Sequence, residues 1–430
     1  MDPLTKQGEQ KGLGANDIKR KARSRTKPLL FALRPPIRTI KSAHKKKAPH
    51  VYFIAKALRF PEPQKPQTAC RVQAMTLKIA IIGAGMAGIT AARTLVQAGH
   101  RIQIFEKSRG AAGRMSTHET VFGTFDHGTQ YFTVRDPRFS LALQTVAGTK
   151  EICRPWSASA VRILDPLGRV FEAAKQNHDA HFVASPGMNA LVRHWAHPLG
   201  KALHLHNQVQ RMERNAKGQW TLHSINTSTR AEIPETHAGF DRVLLAVPSV
   251  QAEQLLRNSG TYVNDTHFLE AINKVQVAPC WTLMLAFPNA NNPDLPHLGP
   301  QWNAARSTHH RVAWLTRESS KPGRGKIERW TVQASAAWSQ EHLEDDAPRV
   351  KAKMLRAFSE LTGIRAQPSY AEVHRWRYAQ TLVPLGAPFQ FHASKGLGTC
   401  GDWHIGHRVE DAFVSGLELA LAVCHSAHRL

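Results

Sequence analysis

An α/β fold with an interleaved α+β region is what this sequence predicts, and three observations predict it. Residues 77–82 (Leu-Lys-Ile-Ala-Ile-Ile) form a short β-branched apolar run, the composition of a strand buried in a parallel sheet. A glycine-punctuated turn at 83–88 then opens an apolar-periodic helix that ends in glycine at 99. Residues 134–181 and 263–375 instead carry shorter alternating runs, such as 281–287, 312–316 and 330–335. That period of two fits an antiparallel sheet with helices over one face.

The 430 residues suffice for two to three domains. Apolar residues at 42% and charged residues at 21% allow a sizeable core. No stretch approaches the roughly 18–20 apolar residues of a membrane span; the longest runs, 277–287 and 412–423, contain polar breaks. Five cysteines (Cys70, Cys153, Cys280, Cys400, Cys424) are scattered and odd in number, without a CxxC pair. This points to a reducing, cytoplasmic setting and away from disulfides or structural zinc. The 24 histidines include no HExxH, and the pairs His204/His206 and His404/His407 lack supporting ligands, so no metal is expected.

Charge is uneven along the chain. Residues 1–74 hold 18 Lys/Arg against 4 Asp/Glu, supplying +14 of the formal +25. Prolines at 35, 36, 61, 63 and 66 break any helix there, and the composition is that of a disordered extension. Such a basic arm can neutralise nucleic-acid phosphates, or serve as a transit peptide, although lysine outweighs the Arg/Ser bias usual there. The favoured expectation is a mis-assigned start, because Met75 stands directly before the first strand. No aromatic-interleaved RNA motif or helix-turn-helix supports nucleic-acid binding beyond the tail itself.

In chain order, the first unit is strand 77–82, turn Gly83-Ala84-Gly85-Met86-Ala87-Gly88, helix 89–99, strand 101–105 and Glu106, which lies 21 residues after Gly85. That spacing is the one expected of a dinucleotide fingerprint. Gly83 permits the tight turn, Gly85 lets a pyrophosphate approach the backbone, and Gly88 lets helix and strand pack closely. The helix N-terminus points free N–H groups at the phosphates, and Glu106 can accept from the adenosine ribose. A second GxGxxG at 396–401 is not followed directly by a helix, and Glu418 beyond it falls within an apolar-periodic helix rather than at a strand end. One dinucleotide site is therefore expected.

Past Glu106 and Lys107 comes Gly110-Ala111-Ala112-Gly113-Arg114. It resembles the Gly-Gly-Arg loop of the flavoprotein amine-oxidase superfamily, with Ala112 in place of the first glycine. The resemblance implies that Arg114 reaches the pyrophosphate of FAD. Phe125-Asp126-His127-Gly128-Thr129-Gln130-Tyr131-Phe132, Ser185-Pro186-Gly187-Met188-Asn189, 241–248, Trp376-Arg377-Tyr378-Ala379, Cys400-Gly401-Asp402-Trp403 and 408–417 follow in order. Together they resemble the renalase-like branch, including bacterial NAD/FAD-dependent oxidoreductases, over residues 77–423.

The resemblance implies a Rossmann-type FAD-binding domain (75–133, 182–262 and 376–430) with an interleaved α+β substrate domain (134–181 and 263–375) built on an antiparallel sheet. It places Gly83, Gly85, Met86, Ala87, Gly88, Glu106, Lys107, Arg114, Val209, Asp402 and Val409 against FAD. Val209 lies in 203–221, which reads as strand, loop, strand; it either edges the adenine or is an ordinary buried valine. Asp402 can accept from a ribityl or ribose hydroxyl. A helix starting near 410–411 would stabilise negative charge at the flavin N1/C2=O edge, or Asp411 simply caps it. Cys400 is out of frame with the cysteine that tethers flavin in monoamine oxidases, so FAD is expected to be non-covalent.

Eight of the ten tryptophans (156, 281, 302, 314, 330, 338, 376, 403) fall in or beside the second region. Most suit core packing, with Trp376, Tyr378 and Trp403 as pocket candidates. Asp126, His127, Gln130 and Tyr131 are further candidates for the flavin face, unless a buried Asp126–His127 pair merely fixes their loop. Lys274 is a possible counterpart of the lysine held near flavin N5. The implied reaction is hydride removal from a C–H next to nitrogen in a small-molecule substrate, with O₂ as acceptor. Dihydronicotinamide isomers of NAD(P)H are the expected substrates and small amines or polyamines the alternative. The sequence has no GxSxG elbow and no Cys-His signature.

Overall fold

The structure, a computed structural model, describes residues 75–427 apart from 147, 157–160, 174–178, 230–232, 261–265 and 292–301. Residues 1–74, and the expectations attached to them, lie outside the described residues. The first strand, Lys78–Ile82 (β1), buries Ile79, Ala80 and Ile81 completely. It pairs in parallel with Arg101–Phe105 (β2), Ile79 against Ile102 and Ile81 against Ile104. Helix Met86–Gln97 (α1) joins them and buries Ile89, Ala91, Ala92 and Leu95. It ends where Gly99 takes a φ of 88°, a left-handed conformation that glycine adopts without strain.

β1 lies inside a six-stranded sheet ordered Gln390–His392, Leu397–Thr399, Arg242–Leu245, β1, β2, Leu203–His204. All neighbours are parallel except the edge strand Gln390–His392. The second GxGxxG falls on Leu397–Thr399 and the turn after it, and the next α-helix opens only at Val409. The region read as one hairpin over 203–221 is built differently. Leu203–His204 completes the parallel sheet, His206 turns the chain with a φ of 55°, and a separate antiparallel sheet follows. Its strands are Asn207–Arg214, Trp220–Asn226 and Ile233–Phe240. The third, Ile-Pro-Glu-Thr-His-Ala-Gly-Phe, does not alternate apolar and polar residues, so it offers no period of two to read.

The remaining large sheet has seven strands, ordered Tyr370–Val383, Gln276–Phe287, Glu328–Ala334, Val312–Arg317, Ala304–Ser307, Arg162–Leu164, Val170–Ala173. Its pairs are antiparallel except Ala304–Ser307 with Arg162–Leu164. Helix Ala347–Thr362, capped by Asp346, seats Met354, Phe358 and Leu361 against Trp281, Trp330 and Trp338. These tryptophans are core.

Two expected boundaries are corrected. Tyr370–Val383 is one strand running through residue 376, because its ladder with Gln276–Phe287 continues past Trp376 across from Cys280. Helix Pro137–Thr145, assigned with 134–181 to the second region, packs on the parallel-sheet side. Its Phe139 is fully buried against Phe413, with ring centroids 4.9 Å apart, and beside Phe132 and Trp195. Among the described residues no helix is long and apolar enough to cross a membrane.

Candidate active site

A cleft of about 1820 Å³ is lined by residues of both large sheets, well above the ~300–1000 Å³ of a small-ligand pocket. The glycine turn forms part of its wall. A Cβ on Gly83, whose φ is 106°, would lie 2.5 Å from the Ala246 carbonyl oxygen. One on Gly88 would overlap the Gly83 carbonyl oxygen and sit 3.1 Å from the Ala246 Cβ. At Gly85 nothing lies within 4 Å of a built Cβ, and Gly85 lines the cleft. Two glycines thus permit packing and the third leaves open space at the start of α1, where Met86 and Ala87 also line the cleft. Gly85 is the N-cap and provides no side-chain cap, so the first-turn N–H groups remain for an anion. These features fit a dinucleotide pyrophosphate.

The carboxylate of Glu106 is anchored by its own loop: Oε2 accepts from the Ala84 N–H at 2.8 Å and Oε1 from the Ser108 N–H at 2.9 Å. Each oxygen keeps a second lone pair. Lys107 and Val209 line the same end of the cleft; Val209 pairs with Ser224 beside a bulge. Ala112, which replaces a glycine of the resembling loop, has a φ of 154°, a value that favours glycine. The adjacent Gly113 packs 3.4 Å, by its built Cβ, from the Gly85 Cα.

Arg114 and Asp402, expected to reach separate parts of the cofactor, form a fork with each other. Nη1 donates to Oδ2 at 2.9 Å and Nη2 to Oδ1, and Nη1 also reaches the Ala379 carbonyl at 3.3 Å. This pair ties the 110–114 loop to the C-terminal segment. Helix Val409–Ala427 opens on the cleft through Arg408, Val409 and Ala412. Asp411 Oδ2 accepts from the Arg408 N–H at 2.9 Å, so Asp411 does cap the helix. Burial raises its pKa against the opposing effect of Arg408. This helix meets α1 at Gly416, where a Cβ would lie 2.9 Å from the Ala87 carbonyl carbon.

Trp376, Tyr378 and Trp403 line the cleft; Gln130, Tyr131 and Lys274 do not. Gln130 turns inward, donating to the Asp126 and Gly128 carbonyls and accepting from Lys321 Nζ at 3.3 Å. Tyr131 packs among Trp156, His181 and Trp314. Lys274 is exposed just past helix Thr266–Ile272, so it is no counterpart of a flavin-facing lysine.

Three histidines join the tryptophan instead. His127 lies 4.6 Å from His374 and stacks at 5.3 Å on Trp376, whose Nε1 donates to the His127 carbonyl at 2.9 Å. His118 completes the group. Burial, then His374 and His118, lower His127 to a pKa of about 4; burial also lowers His374. Both rings are therefore neutral at pH 7 and form an aromatic wall.

Behind that wall, Asp126 is fully buried. It accepts from Lys321 Nζ at 2.9 Å, Arg324 Nη2 at 2.6 Å, Thr117 Oγ1 at 2.8 Å and the Met188 N–H at 2.9 Å. Burial pushes its carboxyl up, but Lys321 and Arg324 hold it below the usual range. Glu318 takes bonds from the Asp126 N–H at 3.2 Å and Lys321 at 3.0 Å. Asp126 is held by Lys321 and Arg324 and not by His127, and these two residues, almost two hundred positions away, gave no signal in the sequence.

Turn, anchored acid, two helix N-termini and a second sheet around one cleft define a dinucleotide-binding fold. The description "NAD(P)-binding Rossmann-like domain" matches residues 81–144, and "Flavin containing amine oxidoreductase" matches 168–424, more than half of the chain. The chain belongs to the flavin containing amine oxidoreductases, and its cofactor is FAD. Sixty residues are 42% identical to 4,4'-diapophytoene desaturase (4,4'-diaponeurosporene-forming) of Staphylococcus haemolyticus (strain JCSC1435). That match covers 14% of this chain and 12% of the relative, so it spans about an eighth of the relative's length. Among solved structures, a candidate protoporphyrinogen oxidase from Exiguobacterium sp. 255-15 superposes with a TM-score of 0.63 at 13% identity, covering 82% of this chain and 99% of its own. A putrescine oxidase double mutant gives 0.59 at 12% identity, covering 81% and 99%. At such identities these two likenesses show the fold alone.

Proposed function

We propose that this protein is an FAD-dependent oxidase that removes a hydride from a C–H next to nitrogen in dihydronicotinamide isomers of NAD(P)H, with O₂ as the final electron acceptor. The observation that carries the substrate class is charge. The cleft is lined by eight Lys/Arg against four Asp/Glu, a balance that attracts anionic nucleotides and repels polyamines. Bound FAD supplies the hydride acceptor.

The chain's own residues bind and orient. Gly85 and the start of α1 take the pyrophosphate, Glu106 the adenosine ribose, and Val209 the adenine edge. The Arg114–Asp402 fork and Val409 close the far side of the cofactor. Trp376, Tyr378, His127 and His374 present an uncharged aromatic wall to a nicotinamide ring and exclude water from it. Nitrogen adjacent to the reacting carbon donates its lone pair as hydride leaves, so no general base is required. Burial, which lowers His127 to a pKa of about 4, also leaves that imidazole a weak base. Cys400, buried with its thiol pushed up to about 12, lies off the cleft, which supports non-covalent FAD.

The amine-oxidoreductase family membership favours an amine substrate as the second reading, and one experiment separates the two. The holoenzyme is mixed anaerobically with a 2- or 6-dihydronicotinamide mononucleotide, or with putrescine, while the visible flavin band is followed. Rapid bleaching by the dihydronicotinamides, reversed by air with peroxide release, is expected. Bleaching by the amine alone would overturn the assignment.

A further inference from the structure

We propose that Arg375 and Arg377 form an anion site for the phosphate of the substrate, and that Glu344 fills this site until a phosphate displaces it. The proposal deepens the dihydronicotinamide reading and rests on it. Arg375 and Arg377 occupy alternate positions on strand Tyr370–Val383 and therefore share a face. Both line the cleft on an edge strand of the seven-stranded sheet, with His374 and Trp376 on that strand's other face.

Their contacts converge on a single carboxylate. Arg377 grips Glu344 as a fork, Nη1 to Oε1 at 2.5 Å and Nη2 to Oε2 at 2.9 Å. Arg375 Nη1 adds a bond to Oε2 at 3.1 Å. Arg375 is positioned independently of that acid. Its Nη1 donates to the Leu343 carbonyl at 2.7 Å, and its guanidinium lies 5.5 Å from the Trp281 ring centroid. A carboxylate and a phosphate offer the same pair of oxygens to a guanidinium fork.

Exposure decides which of them holds the site. The Glu344 side chain is 68% exposed, and those of Arg375 and Arg377 are 34% and 42% exposed. Ion pairs this open are weak and screened, so a phosphate brought in with a bound ring competes effectively. Of the cleft's other basic groups, Lys107 and Arg109 follow Glu106, Arg211 pairs with Glu213 on the Val209 strand, Arg114 is committed to Asp402, Arg193 lies in helix Asn189–Ala196, and Arg408 directly precedes helix Val409–Ala427. The two arginines come from the sheet opposite the glycine turn, which leaves them to the substrate.

The test compares kcat/KM of the holoenzyme for a dihydronicotinamide mononucleotide with that for the corresponding riboside, which lacks the phosphate. Arg377→Gln should lower the mononucleotide-to-riboside preference by about tenfold, the scale of one charge-assisted contact. Glu344→Gln should raise the same preference a few-fold, because the competing anion is gone. An unchanged preference in Arg377→Gln, or a reduced one in Glu344→Gln, would overturn the anion site while leaving the oxidase reading standing. If the wild type oxidises neither compound, the oxidase reading fails on its own. Titration of the flavin band with nicotinamide mononucleotide and nicotinamide riboside then decides the site. A preference for the mononucleotide that disappears in Arg377→Gln sustains it, and the absence of any preference refutes it.

Discussion

Replacing Gly85 with alanine separates cofactor binding from folding. The backbone at Gly85 has φ −77° and ψ −174°, open to any L-residue, and the added methyl meets nothing within 4 Å. Two small effects on the apoprotein oppose each other. Alanine is a poorer N-cap than glycine by some tenths of a kcal/mol, whereas loss of glycine's freedom in the unfolded chain contributes about 0.4–1 kcal/mol of stability. Apoprotein stability should therefore stay within about 0.5 kcal/mol of wild type. The methyl, however, projects into the space at the start of α1 that the pyrophosphate is proposed to occupy. Displacing that anion from two backbone N–H donors, at roughly 1.5–3 kcal/mol each, should weaken FAD binding by at least a hundredfold. Thermal unfolding of the apoprotein and a visible-absorbance titration with FAD read the two quantities separately. FAD binding within threefold of wild type would refute the pyrophosphate placement; a collapsed apoprotein would refute the claim that the space is open.

Ala112→Gly should relieve the backbone held at a φ of 154° and stabilise the protein by about 1 kcal/mol or more, measured by urea unfolding. Gly416→Ala gains up to about 1 kcal/mol of helix propensity, but its methyl presses on the Ala87 backbone. Net destabilisation of about 1–2 kcal/mol is expected, with weaker FAD retention on dialysis because Ala87 lies in the first turn at the cleft. In Glu106→Gln the amide can accept only one of the two N–H groups now bonded to the carboxylate, so FAD dissociation constants should rise about tenfold or more. His127 and His404 are lowered by burial from 6.5 to about 4 and about 3. Depressed folded values mean that the unfolded chain takes up these protons first. Stability is thus full above pH 6.5 and falls on acidification towards pH 4, by up to about 1.4 kcal/mol per pH unit for each ring. His404→Asn should flatten the lower part of that slope in pH-dependent denaturant titrations.

What the sequence disclosed follows the range of the interactions involved. β1, α1 and β2 were legible because the apolar period, the glycines and Glu106 all lie within thirty residues. Each is fixed by local geometry. Val209 could be placed near the adenine end only by resemblance, since the strand that carries it is mostly polar. The Arg114–Asp402 fork joins positions 288 apart, and nothing local distinguishes arginines that meet a cofactor from those that meet an acid. Lys274 illustrates the same limit: a lysine of the expected type lies near the expected position, but the chain leaves it facing solvent. Ala112 was the more informative departure. Its replacement of glycine was visible in the sequence, and the positive φ there gives that substitution a physical consequence.

The buried charges around Asp126 explain how a cleft wall can depend on residues that never touch it. Lys321, Arg324, Glu318 and Asp126 are each at most 4% exposed, and burying such groups costs solvation that their mutual attraction only roughly offsets. Net stability is therefore a poor account of them. Position is a better one. Lys321 and Arg324 follow strand Val312–Arg317, whereas Asp126 follows the short strand Gly123–Phe125 on the cleft side. Pairing these charges leaves one arrangement in which no carboxylate is buried alone, and it sets the 126–130 loop against the seven-stranded sheet. From there the His127 carbonyl meets Trp376 Nε1 and the Gly128 carbonyl meets Gln333 Nε2 at 2.8 Å. The neutral aromatic face proposed to receive the nicotinamide ring is thereby held in register by ion pairs on its far side, out of reach of water and of the substrate's own charge.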